Sequence, residues 1–249
     1  MDPSPRVKRI VGRVRDYLDE LTRRLRSRLG DRLLAAWVIG STALGDFDPT
    51  RSDIDVQAIA GERLSPDELR ALATELSAVE CPVRGLEFVL YAHADLSDPL
   101  GPAFSLNLNT GPGMDHHEGY HPDAEPRFWF TLDVAIARQD AVPLAGPHPR
   151  EIVPELPRAL VVERLQDSLA WWGDFGGPQA VLAACRALAW SETGRWLSKG
   201  EAARWAADPV AEAALAARTD PAATGPTPEE VASFVDRVRR RLTASSSTT

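Results

Sequence analysis

Only Cys81 and Cys185 occur in the 249 residues, and their spacing is that of no paired motif. That argues against a cysteine-based zinc site and a disulfide-stapled secreted scaffold, and leaves two buried thiols in a reducing compartment as the expectation. Basic charge is also in short supply: 28 Lys and Arg stand against 36 Asp and Glu, a formal net charge of -8. A nucleic-acid binder that works through a general basic surface is thereby disfavoured, whereas an acidic field attracts a cationic small molecule. No apolar stretch has the uninterrupted length of a membrane span, and the opening "MDPSPRVKRIVGRVRD" lacks the continuous apolar core of a signal peptide. The expectation is a cytoplasmic monomer with neither a nucleic-acid nor a membrane partner. What the chain does have is 44% apolar residues, ample for one large domain or two ordinary ones.

Val14, Leu18, Leu21, Leu25 and Leu29 recur at helical spacing and predict an amphipathic helix over Arg6 to Leu29. Its "RRLRSR" reads as a solvated face, because Asp16, Asp19 and Glu20 interrupt any phosphate-binding patch. "LLAAWVI", Leu33 to Ile39, is a short apolar run stopping at Gly40-Ser41, the pattern of a buried strand entering a turn. "DIDVQAIA" is a second strand. Ser65-Pro66-Asp67-Glu68 carries a helix start with a capping box, and Leu69, Leu72, Leu76 and Val79 form the buried stripe behind it. "LEFVLYA", Leu86 to Ala92, is a third strand. From Ala92 to Pro126 Gly, Pro, His and Asn dominate, which predicts a functional loop or partial disorder.

From Arg127 onward the segments are helical: "FWFTLDVAIARQ", "PELPRALVVERLQDSLAWW", "PQAVLAACRALAWSETGRWL" and "PEEVASFVDRVRRRL". Thr227 to Glu230 repeats the cap chemistry seen at Ser65. Most of Trp129, Trp171, Trp172, Trp190, Trp196 and Trp205 are expected in the core. The polar tail "ASSSTT" is expected to be mobile. The resulting division is an α/β domain at 1–126, a helical bundle at 127–243 and a disordered tail at 244–249.

One pair of residues is out of place in this apolar pattern. In a strand, positions i and i+2 share a face, so Asp53 and Asp55 project side by side while Ile54 and Val56 enter the other face. Either the strand ends at the surface with two solvated acids, or a cation sits between them, and hard oxygen ligands of this kind suit Mg²⁺. Gly40-Ser41 upstream permits a tight turn whose amides and hydroxyl can receive phosphate oxygens. Ser52 is placed to add a phosphate or metal-shell contact. Glu87, in the apolar strand "LEFVL", either faces outward or does chemical work.

"GSTALGDFDPTRSDIDV" resembles the nucleotidyltransferase signature of the DNA polymerase beta superfamily, and the layout of nearly the whole chain resembles the aminoglycoside adenylyltransferases acting on streptomycin and spectinomycin. In the helical half the resemblance is carried by "FWFTLDVAIARQDAVPLAGP" and "CRALAWSETGRWLSKGEAARWAA". It implies a polymerase-beta-like nucleotidyltransferase domain with a mixed sheet, followed by a C-terminal helical bundle, with the active site in a cleft between them. It also implies ATP as co-substrate and Mg²⁺ as cofactor. Gly40, Ser41 and Ser52 would bind ATP, and Asp53 and Asp55 the metal. Glu87, matching the family's Leu-Glu pair, would be the general base and touch the acceptor. Arg186 and Lys199 match helical-domain residues that reach the nucleotide. In the family a tryptophan and an acid near the start of the helical domain contact the aminoglycoside; the shorter segment "WWGDFGG" offers Trp171, Trp172 and Asp174 as candidates for them, whereas "TGPGMDHHEGYH" does not match the family's aromatic substrate loop.

The expected reaction is O-adenylylation of a small cationic aminoglycoside or aminocyclitol. A nucleotidyltransferase acting on another small metabolite or on a protein hydroxyl is the alternative enzyme. A catalytically silent nucleotide-binding sensor is the alternative outside enzymology. His116, His117 and His121 invite a zinc reading, but no second ligand cluster accompanies them, and a substrate-gating loop is the expectation.

Overall fold

The computed structural model describes residues 5–220 and 222–246, and it divides into two compact units, Met1–Glu155 and Leu156–Thr249. In the first unit, α1 (Pro5–Leu29) buries Val14, Leu18, Leu21, Leu25 and Leu29, the stripe that their spacing predicts. β1 (Leu33–Ile39) runs into the one-turn helix α2 (Gly40–Ala43). After a loop come β2 (Ile54–Ala60), α3 (Pro66–Ser77) and β3 (Leu86–Ala92). The capping box of α3 forms: the Glu68 amide donates to Ser65 Oγ at 3.4 Å and the Ser65 amide to Glu68 Oε2 at 2.8 Å.

The stretch expected as a loop or partial disorder instead holds β4 (Phe104–Thr110) and β5 (His117–Gly119). "FSLNLNT" alternates buried Phe104, Leu106 and Leu108 with half-buried polar residues, a period-2 signal obscured by the Gly, Pro and His around it. α4 (Arg127–Asp140), β6 (Val142–Ala145) and α5 (Pro149–Ile152) complete the unit.

Strand order is β5-β4-β3-β2-β1-β6. β2 and β3 are parallel, joined through α3, and every other neighbouring pair is antiparallel, so the sheet is mixed as expected. Ile54, Val56 and Ala58 of β2, Leu86, Phe88 and Leu90 of β3, and Leu106 and Leu108 of β4 pack with the stripes of α1 and α3 in one buried cluster. Alternation then forces Asp55, Gln57, Glu87 and Asn109 onto the opposite face. There Trp37 Nε1 donates to Gln57 Oε1 at 3.0 Å, a buried pair that satisfies the indole.

The domain boundary needs correction. β6 pairs with β1, with Val142 opposite Val38, so the α/β unit extends through Glu155 rather than ending at 126. Helical periodicity in α4 reveals a buried stripe but not which layer receives it, and α4 packs within the first unit.

The second unit comprises α6 (Arg158–Phe175), α7 (Gly177–Thr193), α8 (Lys199–Ala206), α9 (Pro209–Thr219) and α10 (Pro228–Ser246). α7 is its centre and meets each of the other four helices. α10 buries Val231, Phe234, Val235, Val238 and Leu242. It continues through Ser246, so residues 244–246 are helical rather than a loose tail, and residues 247–249 lie outside the described residues. The tryptophans depart from expectation: of the six in the later part of the chain, Trp190 and Trp196 are buried, while Trp205 is 39% exposed and Trp129, Trp171 and Trp172 are half-buried. Cys81 and Cys185 are free and buried, and burial pushes the Cys185 thiol up to about 12. Among the described residues no helix is long and apolar enough to cross a membrane.

Candidate active site

The site begins where β1 ends. Ile39 stands opposite Asp55, and the next residue, Gly40, has φ +65°. A Cβ at Gly40 would lie 2.0 Å from Asp55 Oδ2. Both the left-handed conformation and the close approach to the carboxylate therefore require glycine. No side chain caps α2, and within it Ser41 Oγ and Thr42 Oγ1 are buried without a hydrogen-bond partner. Buried hydroxyls are normally satisfied, so this pair marks where a ligand oxygen would be received.

The loop that follows is tightly closed. The Asp46 amide donates to Ser41 O at 3.0 Å, and the Ser52 amide to Asp48 O at 2.7 Å. Ser52 is buried, and its Oγ accepts from the Asp48 amide at 3.0 Å. Its hydroxyl thus serves the loop that delivers Asp53 to the sheet, while keeping one proton to donate.

Across the sheet, Asp55 of β2, Glu87 of β3, Asn109 of β4 and His117 of β5 stand opposite one another in a single row. Adjacent strands lie about 4.8 Å apart, so Asp55 and Glu87 are immediate neighbours on one face. Asp53 joins them from the residue preceding β2: its charge acts on Glu87, and it forms an ion pair with Arg84. The three acids expected at the reacting centre are therefore brought together. Burial first, then the charges of Asp53 and Asp133, push the Glu87 carboxyl up to about 7, partly offset by Arg84.

This raised value has a consequence for stability. Glu87 holds its proton more tightly folded than unfolded, so its burial is harmless below the ordinary carboxylate range near 4.5 and destabilising as pH rises from there to about 7. In metal-free protein held in EDTA, Glu87→Gln is expected to raise the Tm by a few degrees at pH 8, corresponding to about 1–3 kcal/mol, and to change little at pH 4.5. Thermal melts at the two pH values check this; equal shifts at both would refute the ionisation argument.

Sequence reading missed Arg84, Asp133 and Asn109. Asn109 was marked by the alternation in "FSLNLNT", and Asp133 by being the one acid inside the apolar run "FWFTLDVAIA". Arg84 carried no such mark; it meets Asp53 because parallel pairing places Ile54 opposite Leu86. Beside Glu87 the sheet opens into a groove of about 540 Å³, with Arg84, Asn109, Met114, Asp115 and His117 among its walls. Another groove, about 400 Å³ and lined by Asp208, Phe234 and Arg237 in the second unit, contains none of the expected site residues.

The remaining candidates belong to the second unit. Arg186 on α7 donates from Nε to Leu197 O at 3.1 Å, and its guanidinium lies 6.0 Å from the Trp196 ring centroid. Trp196 stacks on Trp190 at 5.3 Å, with Arg158 over the latter at 4.9 Å. Lys199 is the first residue of α8, behind a Ser198–Glu201 capping box, and its Nζ donates to Gln179 Oε1 at 3.3 Å. Gln179 lies just past the turn that follows Trp171–Phe175. Trp171 meets Trp172 edge-on at 4.8 Å and Phe175 at 4.1 Å, and Asp174 is exposed beside them. Trp171, Trp172 and Asp174 thus lie together, an aromatic patch with an acid next to it. Among the described residues no three His, Cys, Asp or Glu are arranged to hold a metal, and His116 and His117 engage Glu118 at 3.0 Å and Glu125 at 3.1 Å.

No family model matches the sequence. Among characterised proteins, the aminoglycoside (3'') (9) adenylyltransferases of Klebsiella pneumoniae, Shigella flexneri and Escherichia coli are each 26% identical over 209 residues, covering 79% of this chain and 79% of the relative. Among solved structures, spectinomycin adenyltransferase from Enterococcus faecialis, crystallised with ATP and spectinomycin, superposes with a TM-score of 0.71 at 18% identity, covering 92% of this chain and 99% of the other. The chain therefore has the fold of a nucleotidyltransferase of that type, and its similarity to aminoglycoside adenylyltransferases, read first from Gly40–Asp55 and the helical half, extends over most of its length.

Proposed function

We propose that this protein transfers AMP from ATP to a hydroxyl of an aminoglycoside or aminocyclitol antibiotic of the streptomycin or spectinomycin type, releasing pyrophosphate. The observation that carries the reading is the meeting of Asp53, Asp55 and Glu87 at one end of β2 and β3, in a chain whose relatives bear the adenylyltransferase name. Glu87 is the base. Its raised carboxyl, poised near neutrality, accepts the proton of the acceptor hydroxyl as that oxygen forms its bond to the α-phosphorus of ATP. The bond from the α-phosphorus to the bridging oxygen breaks, and pyrophosphate departs.

Asp53 and Asp55 fit Mg²⁺, which needs only one or two carboxylates because it keeps waters and phosphate oxygens in its shell. When bound, that ion neutralises charge developing on the phosphates and on the departing oxygen. Ser41, with its unpartnered buried hydroxyl, donates to a phosphate oxygen, and Gly40 lets the backbone come close to Asp55. Arg84 is the counter-charge of Asp53. Arg186 and Lys199 supply cations to the nucleotide, and Trp171, Trp172 and Asp174 an aromatic and anionic surface for a polycationic sugar.

Incubation with ATP and MgCl₂ plus streptomycin or spectinomycin should yield an AMP adduct by mass spectrometry and stoichiometric pyrophosphate. Adducts only on unrelated metabolites or on protein hydroxyls would keep the chemistry and replace the acceptor. Metal-dependent ATP binding with no product from any acceptor would favour the sensor reading.

A further inference from the structure

At the outer side of the groove beside Glu87 stands a polar assembly to which the reaction above assigns no role. His117 shares the transverse row of Glu87 and Asn109 and lies two strands away, about 10 Å at the usual strand spacing. Glu87, Asn109 and His117 line the same groove, and the His117 side chain is 47% exposed. Yet the imidazole is not free to swing. Its Nε2 lies 3.1 Å from Glu125 Oε1, and Glu125 Oε2 accepts from Asn107 Nδ2 at 2.6 Å. The clamp depends on Gly119, opposite Asn107: a Cβ there would sit 1.8 Å from Glu125 Oε1 and 3.2 Å from His117 Nε2. A missing side chain on β5 is thus what lets Glu125 reach across the strand and hold the ring.

A carboxylate on Nε2 favours the tautomer that donates there, which leaves Nδ1 as an acceptor. Asp115 adds negative charge to the same groove. We infer that His117, positioned by Glu125, binds the acceptor: its Nδ1 accepts a hydrogen bond from a second hydroxyl or an ammonium of the aminocyclitol while the reacting hydroxyl lies at Glu87. This deepens the proposed function and rests on it. Glu87 and His117 stand at two points of the same groove, and Asn109 stands between them to meet an intervening polar group.

The test is steady-state pyrophosphate release with Mg·ATP and spectinomycin or streptomycin, whichever the wild-type protein modifies. His117→Ala should raise KM for the antibiotic about tenfold, the loss of one net hydrogen bond, and leave KM for ATP within about twofold. His117→Gln, which restores an acceptor oxygen, should return the antibiotic KM to within about threefold of wild type. Glu125→Gln, which weakens the hold on the ring, should move the same constant in the same direction by about threefold. A clamp that merely fastens the hairpin predicts otherwise: a lower Tm, both KM values moving together, and no rescue by His117→Gln. That outcome, or an unchanged antibiotic KM in a folded His117→Ala, overturns the inference while leaving the proposed function standing. Should His117→Ala not fold, His117→Gln and Glu125→Gln carry the comparison with wild type. A wild-type protein that modifies neither antibiotic overturns both.

Discussion

Glu87→Gln is expected to abolish adenylyl transfer, lowering kcat by about 10²–10⁴ while Mg·ATP still binds. The substitution keeps the shape of the side chain and its place opposite Asp55 in the sheet, and removes only the capacity to take a proton. Glu87 is suited to that task because burial and the nearby acids Asp53 and Asp133 raise its proton affinity, so that it ionises near neutrality and gains basicity when it does. The comparison to make is single-turnover pyrophosphate release against equilibrium binding of Mg·ATP. A variant that keeps its rate within about tenfold would remove Glu87 from the role of base. Taken with the thermal prediction, the same substitution should yield a protein that is more stable and inactive, the usual sign of a group kept in an unfavourable environment for its chemistry.

Gly40→Ala should be nearly as damaging, for a steric reason. The new methyl would stand 2.0 Å from Asp55 Oδ2 and 2.8 Å from its Cγ, so the carboxylate must leave the position where it faces Glu87. A displacement of about 1 Å in a positioned reacting group costs on the order of 100-fold in rate, and a non-glycine residue in the left-handed conformation adds about 1–2 kcal/mol of instability. Gly45→Ala separates the two effects. Gly45 has φ +72° with no atom within 4 Å of its prospective Cβ, so it should lose comparable stability and retain turnover. If both variants lose activity alike, backbone strain rather than the crowding of Asp55 explains the loss.

The elements nearest the site were legible because several signals agreed in each. β1 and β3 lie at Leu33–Ile39 and Leu86–Ala92, the bounds read from their apolar runs, and α3 starts at the capping box spelled by Ser65 to Glu68. The two-residue period of a strand predicts a shared face for Asp53 and Asp55; in the structure β2 starts at Ile54, so Asp55 lies within the strand and Asp53 just before it. The segment from Ala92 to Pro126 was illegible as β4 and β5: β5 is a three-residue edge strand with no apolar alternation, and the Gly, Pro and His residues around β4 obscure the alternation it does have. Most of the half-buried tryptophans were misjudged for a related reason: helical spacing tells that an aromatic lies on a stripe, not whether another element covers it.

By itself, the sequence determined the local chemistry of this protein: paired carboxylates after a glycine-serine turn, a third acid on an apolar strand, and helices with their caps. Tertiary structure alone decided which distant residues share the site. Parallel pairing of β2 with β3 sets Glu87 opposite Asp55 and brings Arg84 to Asp53, and the addition of β4 and β5 carries Asn109 and His117 into the same row. The reason is that periodicity fixes the face a side chain occupies, whereas register between strands remote in sequence is set by the packing of the whole sheet on α1 and α3.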